Sequence, residues 1–110
     1  MSSQPTVFSV ERDGHVATVF LDNPERRNAM GHAFWDELPT VMRDLDDDPE
    51  VRAVVIAAKG RDFSVGLDLK EMAGPPRREG ESQAAQRTRT YRDIKRLQAS
   101  ISAVEACPTP

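Results

Sequence analysis

Between Lys59 and Met72 the chain reads K-G-R-D-F-S-V-G-L-D-L-K-E-M, an order of residue types suited to stabilising an anion with the main chain. An unbroken apolar run, Ala53-Val54-Val55-Ile56-Ala57-Ala58, leads in, and an Asp68-x-x-Glu71 pattern of the kind that opens a helix leads out. A buried strand passing through a glycine-containing loop into a helix N-terminus presents bare backbone N–H groups to negative charge. The chemistry this predicts is an oxyanion hole whose donors belong to the backbone. Asp68 is expected to cap the helix, with Glu71 completing a capping-box-like pair. A carboxylate bonded to helix N–H groups has a lowered pKa, so Asp68 is assigned no proton-transfer role.

The remaining reactive side chains are poorer candidates. His15 begins a strand and His32 stands near a helix start, and neither has an acidic or nucleophilic partner at a recognisable spacing. Both read as structural. The single cysteine, Cys107, excludes an internal disulfide, and no Cys/His cluster has metal-ligand spacing, so no metal is expected. Cys107 reads as a small buried residue and a reducing cytoplasm as its compartment. Phe34 and Trp35 read as core.

Elements must position the loop. Val7–Glu11 and His15–Leu21 flank Asp13-Gly14, which predicts a hairpin. Asn23-Pro24 and the polar Glu25-Arg26-Arg27 form a loop. Phe34, Leu38, Val41, Met42 and Leu45 recur at helical spacing, predicting an amphipathic helix from about Gly31 to Asp46. Pro39 falls inside it and should cost on the order of 3 kcal/mol or bend it, unless the helix starts later. Val51–Ala58 reads as a strand buried on both faces. A flexible loop runs from Gly74-Pro75-Pro76 to Gly80. Ser82 then caps a long helix reaching about Ala106, with Tyr91, Ile94, Leu97, Ile101 and Val104 on one stripe. This order predicts an α/β chain with three strands, and the stripe on the last helix has no evident partner. A strand buried on both faces needs more neighbours than that, so residues 1–110 read as one partial domain, the first part of a larger fold.

Composition narrows the partners. The 110 residues carry a net charge of −3, which gives no general case for nucleic acid, and no stretch is long and apolar enough to be a membrane span. Residues 77–96 hold seven basic and three acidic side chains, while the acidic excess elsewhere includes Asp46-Asp47-Asp48. Only Tyr91 is interleaved with the basic residues, so the stretch reads as a solvated face, an interaction module having only composition behind it.

Four motifs taken together resemble the enoyl-CoA hydratase/isomerase (crotonase) family. They are L-D-N-P-E-R-R-N-A-M at Leu21–Met30, R-A-V-V-I-A-A-K-G at Arg52–Gly60, F-S-V-G-L-D-L-K-E-M at Phe63–Met72, and the terminal A-C-P-T-P. Phe34-Trp35-Asp36-Glu37-Leu38, the bulky Leu67 in G-L-D-L, and Y-R-D-I-K in the long helix look most like the dienoyl-CoA isomerases of that family.

The resemblance implies the N-terminal part of a crotonase-like spiral of β-β-α units, incomplete in this chain. It binds acyl-CoA thioesters, usually as trimers or paired trimers. Two backbone N–H groups would stabilise a thioester enolate, and the first falls on Val65. Gly66, Leu67, Asp68 and Leu69 would flank the substrate. Arg26, Arg27, Ala29 and Lys70 match positions that handle the nucleotide end of coenzyme A. The arginines read equally well as solvated surface charges. No cofactor is implied beyond the coenzyme A of the substrate. The second donor and the acid/base carboxylates of the family would lie beyond Pro110. The reading in fatty acid metabolism is therefore a dienoyl-CoA isomerase or an enoyl-CoA hydratase. The reading from another class is a truncated, inactive fragment that binds coenzyme A or associates with a subunit.

Overall fold

A computed structural model describes residues 4–73 and 78–110. The proline-rich start of the loop expected from Gly74 falls on residues 74–77 and lies outside the described residues, as does Arg77 of the basic stretch.

Strands β1 (Phe8–Asp13) and β2 (Val16–Leu21) form the expected antiparallel hairpin, with Phe8 opposite Leu21 and Asp13 opposite Val16. The turn sits one residue later than the sequence suggested. Its two loop residues are Gly14 and His15, and Gly14 takes φ 59° at the first of them, as the type II′ hairpin turn prefers. His15 therefore belongs to the turn, not to the strand.

Helix α1 (His32–Asp46) crosses back over the sheet and delivers the chain to β3 (Ala53–Ala58), which runs parallel to β2. The sheet order is β1-β2-β3. Period-2 alternation turns Ala17, Val19 and Leu21 of β2 toward α1, where Phe34, Trp35, Leu38, Val41, Met42 and Leu45 meet them. The helix runs through Pro39 without ending. Trp35 shows why a tryptophan can be buried there, since its indole N–H donates to the Met30 carbonyl at 3.1 Å.

The expectation that β3 is buried on both faces is corrected. It spans Ala53–Ala58 rather than Val51–Ala58, is half-buried along most of its length, and leaves Val55 47% exposed. As the sheet's last strand it has α1 on one side only. Part of its outer edge is met by the end of the chain, where the Val54 N–H donates to the Pro110 carbonyl at 2.8 Å.

Helix α2 (Gln83–Ala106) begins as predicted, with the Ser82 hydroxyl accepting from the Ala85 N–H at 3.0 Å. It packs on α1, placing Leu97, Ser100 and Val104 inward and tying Arg96 to Asp36 by an ion pair. Tyr91, Ile94 and Ile101 of its apolar stripe stay 62%, 48% and 48% exposed. The short helix expected after the Lys59–Met72 loop is a single turn, closed by Met72 N–H to Asp68 O at 2.8 Å. The following Gly74-Pro75-Pro76 sequence is ill-suited to continue a helix.

Candidate functional site

Two loops, residues 24–31 and 59–72, run side by side at one end of the sheet. Pro24–Arg26 form a 3₁₀ turn, after which Arg27 and Asn28 take the left-handed region with φ 55° and 57°. Asparagine tolerates that region better than most residues, and Asn28 uses it to become the hub of the pair. It is 3% exposed. Its side-chain amide donates to the carbonyls of Lys59 at 2.9 Å and Asp62 at 3.0 Å, and its Oδ1 accepts from the Asn23 N–H at 2.8 Å. Its own carbonyl accepts from the Ser64 hydroxyl at 2.7 Å. Sequence reasoning passed over Asn28. The available signal was a lone asparagine between an arginine pair and a helix start, where a turn needs a residue able to bond to its own surroundings.

Beyond the hub, Met30 and Leu67 form a parallel bridge, with Met30 N–H donating to Gly66 O at 2.8 Å and Asp68 N–H to Met30 O at 3.1 Å. All the candidate residues are thus brought together: Arg26, Arg27 and Ala29 on one loop, Val65 to Lys70 on the other. Gly66 takes φ 91°, a conformation only glycine adopts readily.

The electrostatics hold the pair in place. Arg26 grips Asp68, which is 5% exposed, and Arg27 meets Asp62 at 2.8 Å. Asp68 Oδ1 also accepts from the N–H groups of Lys70 and Glu71, each at 3.1 Å. Those bonds, the Glu71 N–H above all, hold the Asp68 carboxyl below its usual range, the direction anticipated for a capping carboxylate. Hydrogen bonding and charge between Arg27 and Asp62 lower the Asp62 pKa and raise that of Arg27. The arginines are therefore paired cations, not free ones. The Ala29 N–H is likewise used, donating to Arg26 O at 3.1 Å.

The capping-box expectation is corrected. Glu71 does not reach back to the Asp68 N–H, which already serves Met30. Its carboxylate instead accepts from the His32 N–H at 3.1 Å, at the N-terminus of α1.

Along residues 63–69 every second side chain is apolar and outward. Phe63, Val65, Leu67 and Leu69 are 59%, 50%, 45% and 78% exposed, while Ser64, Gly66 and Asp68 face the neighbouring loop. Such a contiguous apolar display is a candidate binding surface. Past the strip, a cleft of about 360 Å³ opens between residues 71–73, His32 and α2, with Met72, Ala73, Ile94 and Leu97 as apolar walls and Glu71, Asp93 and Arg96 as charged ones. The backbone amides divide. Val65 N–H points at the Arg27 carbonyl at 3.3 Å and Gly66 N–H at the Ser64 hydroxyl at 3.0 Å. Leu67 N–H has no partner among the described residues.

Solved enoyl-CoA hydratases share this fold over nearly the whole of the chain. The structure superposes on an enoyl-CoA hydratase from Shewanella pealeana with TM-score 0.80 over 97% of this chain and 38% of the other, at 22% identity. An enoyl-CoA hydratase/isomerase from Mycobacterium paratuberculosis gives TM-score 0.71, 28% identity, and coverage of 99% and 41%. The sequence matches the profile of the Enoyl-CoA hydratase/isomerase family over residues 11–106, and the chain belongs to that family. Among curated relatives, the mitochondrial Delta(3,5)-Delta(2,4)-dienoyl-CoA isomerase of Mus musculus is 38% identical over 97 residues, which is 87% of this chain and 30% of that protein. The fold described is accordingly part of a crotonase-like domain, and the chain spans about a third of the length of this relative.

Among the described residues, no helix is long and apolar enough to cross a membrane.

Proposed function

We propose that this chain supplies the acyl-CoA-binding loops of an enzyme of fatty acid metabolism that stabilises a thioester enolate, most like a dienoyl-CoA isomerase. In that reaction a proton leaves the carbon between the thioester and the diene of a 3,5-dienoyl-CoA, and its electron pair moves into the thioester carbonyl, giving an enolate conjugated with the diene. A proton returns at the far end of the conjugated system, giving the 2,4-diene. The observation that carries the proposal is the alternation along Phe63–Leu69: an exposed apolar strip that includes an unengaged amide, Leu67 N–H, and leads into a cleft that begins at Glu71 and Met72.

The enolate oxygen needs a donor that is preorganised where charge develops. Val65, singled out by sequence, qualifies only by giving up its 3.3 Å bond to Arg27 O. Leu67 N–H has nothing to give up, and we take it as the stronger donor of the two. A second donor and the proton-transferring carboxylates would come from segments other than those described. Lys70, exposed at the end of the loop, and the paired Arg26 and Arg27 would meet the phosphates of coenzyme A, the Ala29 backbone its adenine. A reducing cytoplasm and assembly into trimers or paired trimers complete the reading. The exposed Tyr91, Ile94 and Ile101 give the second of these a surface.

The test is to supply the full-length gene product with 3,5-dienoyl-CoA and with 2-enoyl-CoA and to follow each by ultraviolet absorbance. Faster turnover of the diene supports the isomerase. Preferential hydration of the enoyl thioester establishes the hydratase instead. A full-length protein that binds acyl-CoA but turns over neither leaves a coenzyme A-binding or subunit-association role. Amide shifts of Val65 and Leu67 on binding a thioester enolate analogue identify the donor.

A further inference from the structure

We propose that Glu71 is a positioning residue for the Leu67 amide, acting by locking the 63–72 loop onto the N-terminus of α1, and that residue 31 is glycine to admit its carboxylate. Helix α1 has no cap of its own: Gly31 has no side chain to offer and its first turn holds no acidic residue. Its leading N–H groups and positive dipole end need an acceptor. Glu71 provides one from 39 positions away in sequence, its Oε1 accepting from His32 N–H at 3.1 Å.

Gly31 is not there for its torsion angles, since φ −97° and ψ −168° describe extended backbone open to any residue. It is there for space. A Cβ at position 31 would stand 2.7 Å from Oε2 and 2.8 Å from both Cδ and Oε1 of Glu71. The pair is therefore complementary, a missing side chain on one loop matched to a carboxylate on the other. Arg26 reinforces it, reaching Glu71 Oε2 at 4.0 Å while holding Asp68.

The mechanical consequence follows from where these ties fall. Met30 is bridged to Leu67, and His32, two residues on, is tied to Glu71 past Gly31, whose missing Cβ leaves room for the carboxylate. The turn between Leu67 and Glu71 is closed by Met72 N–H to Asp68 O. It is thus pinned at both ends to one rigid element, and the Leu67 N–H direction is fixed with it. Removing the Glu71 anchor frees one end. A reacting group misplaced by about 1 Å costs on the order of 100-fold in rate.

The proposal rests on the enolate-binding reading of the loop, so its test has one readout that does not. In the ligand-free protein, Glu71→Ala and Gly31→Ala should shift the amide resonances of Gly66 and Leu67 and speed their hydrogen exchange, while Glu71→Gln, which still accepts from His32, should not. In turnover of the preferred acyl-CoA, Glu71→Ala should lower kcat roughly 10- to 100-fold with KM changed less than about 3-fold. Glu71→Gln should recover most of that loss. Gly31→Ala should resemble Glu71→Ala when made alone and add little to it in the double variant, because the methyl group displaces only what has already gone. Additive effects, or an unmoved Leu67 resonance in Glu71→Ala, would overturn the proposal. A wild-type protein without turnover would count against the enzymatic reading alone, leaving the resonances to decide this one.

Discussion

Strand β2 and the 63–69 loop share one periodicity and use it oppositely. Along β2, Ala17, Val19 and Leu21 are sealed against α1, at most 5% exposed. Along the loop, Phe63, Val65, Leu67 and Leu69 face solvent, none less than 45% exposed. The alternate residues explain the reversal. In β2 the backbone is satisfied by strand neighbours on both sides, so side chains are free to build the core. In the loop, Ser64, Gly66 and Asp68 take over the anchoring through hydrogen bonds and an ion pair. Polar anchoring releases the apolar side chains for something outside the chain. One region spends its hydrophobic surface on folding, and in the proposed function the other keeps it for a ligand.

Truncation is the most direct way to break that contrast. Leu38, 4% exposed in the α1 core, should lose about 3 kcal/mol of stability as Leu38→Ala, through lost burial and the cavity left behind. Leu69→Ala, at 78% exposure, should lose less than about 0.5 kcal/mol. Urea denaturation followed by circular dichroism measures both. Equal losses would mean that the loop's apolar residues serve the fold after all. The functional ordering should be the reverse, with Leu69→Ala weakening acyl-CoA binding and Leu38→Ala leaving it intact in whatever fraction remains folded.

Asn28 tests the polar half of the argument. Asn28→Ala would strand the Lys59 and Asp62 carbonyls and the Asn23 N–H, and place an alanine at φ 57°. The expected loss is about 2 kcal/mol. Amide exchange should rise first at residues 59–68, with β2 protection changed only as far as global stability requires. Uniform loss of protection would show that the two regions unfold as one and that the division between them is artificial.

These differences also mark what could be read from residues alone. Periodicity located α1 because it buries a regular stripe, the Asp13-Gly14 turn signal located the hairpin, and the α2 stripe was visible although only Leu97 and Val104 of it turn inward. Ser82 and Asp68 were legible as caps because a short polar side chain before a turn has few other uses. The burial of β3 was overread: a run of apolar residues signals that a strand can be covered, whereas coverage depends on what lies beside it. Glu71 was assigned to the wrong partner because capping-box spacing counts only neighbours in sequence, while its actual acceptor role lies at His32 across the loop pair. The Lys59–Met72 loop was legible as the segment that follows β3. Which of the Val65 and Leu67 amides is unengaged was not, since the two differ only in whether a carbonyl from another loop, that of Arg27, happens to face them.

Pro39 offers a smaller effect of the opposite sign. It sits within α1 and supplies no N–H to the helix ladder. Pro39→Ala should raise stability by about 1 kcal/mol, less than the full helix penalty because the unfolded chain also regains freedom. An increase in the urea midpoint without a change in acyl-CoA turnover would confirm that the α1 interior belongs to the folding half. A fall in turnover would show that a bend at Pro39 sets the direction in which Gly31 and His32 meet Glu71.

Acid should separate the regions most gently. Glu81, just before α2, is chelated by Arg89 through bonds of 3.0 and 2.9 Å, and that hydrogen bonding lowers its pKa from 4.5 to about 2 against the opposing effect of burial. A folded-state pKa below the unfolded value means the contribution is complete above about pH 4.5 and is lost as pH falls through about 2. Asp62 and Asp68 are shifted in the same direction by their own hydrogen bonds, so the stability the loop pair draws from them is likewise lost as pH falls. Among the described residues the sheet has one comparable tie, Arg12 to Asp48 at 2.7 Å, but its core of Phe8, Val19, Leu21 and the α1 residues does not titrate. Lowering pH from 5 to 2 should therefore speed hydrogen exchange at residues 62–71 and 81–89 before it touches β2. Arg89→Met should shallow the pH dependence for the start of α2 while leaving that of the loop pair unchanged. If β2 loses protection at the same pH as those segments, the ion pairs are holding the core as well as the site, and the polar anchoring cannot be assigned to ligand binding alone.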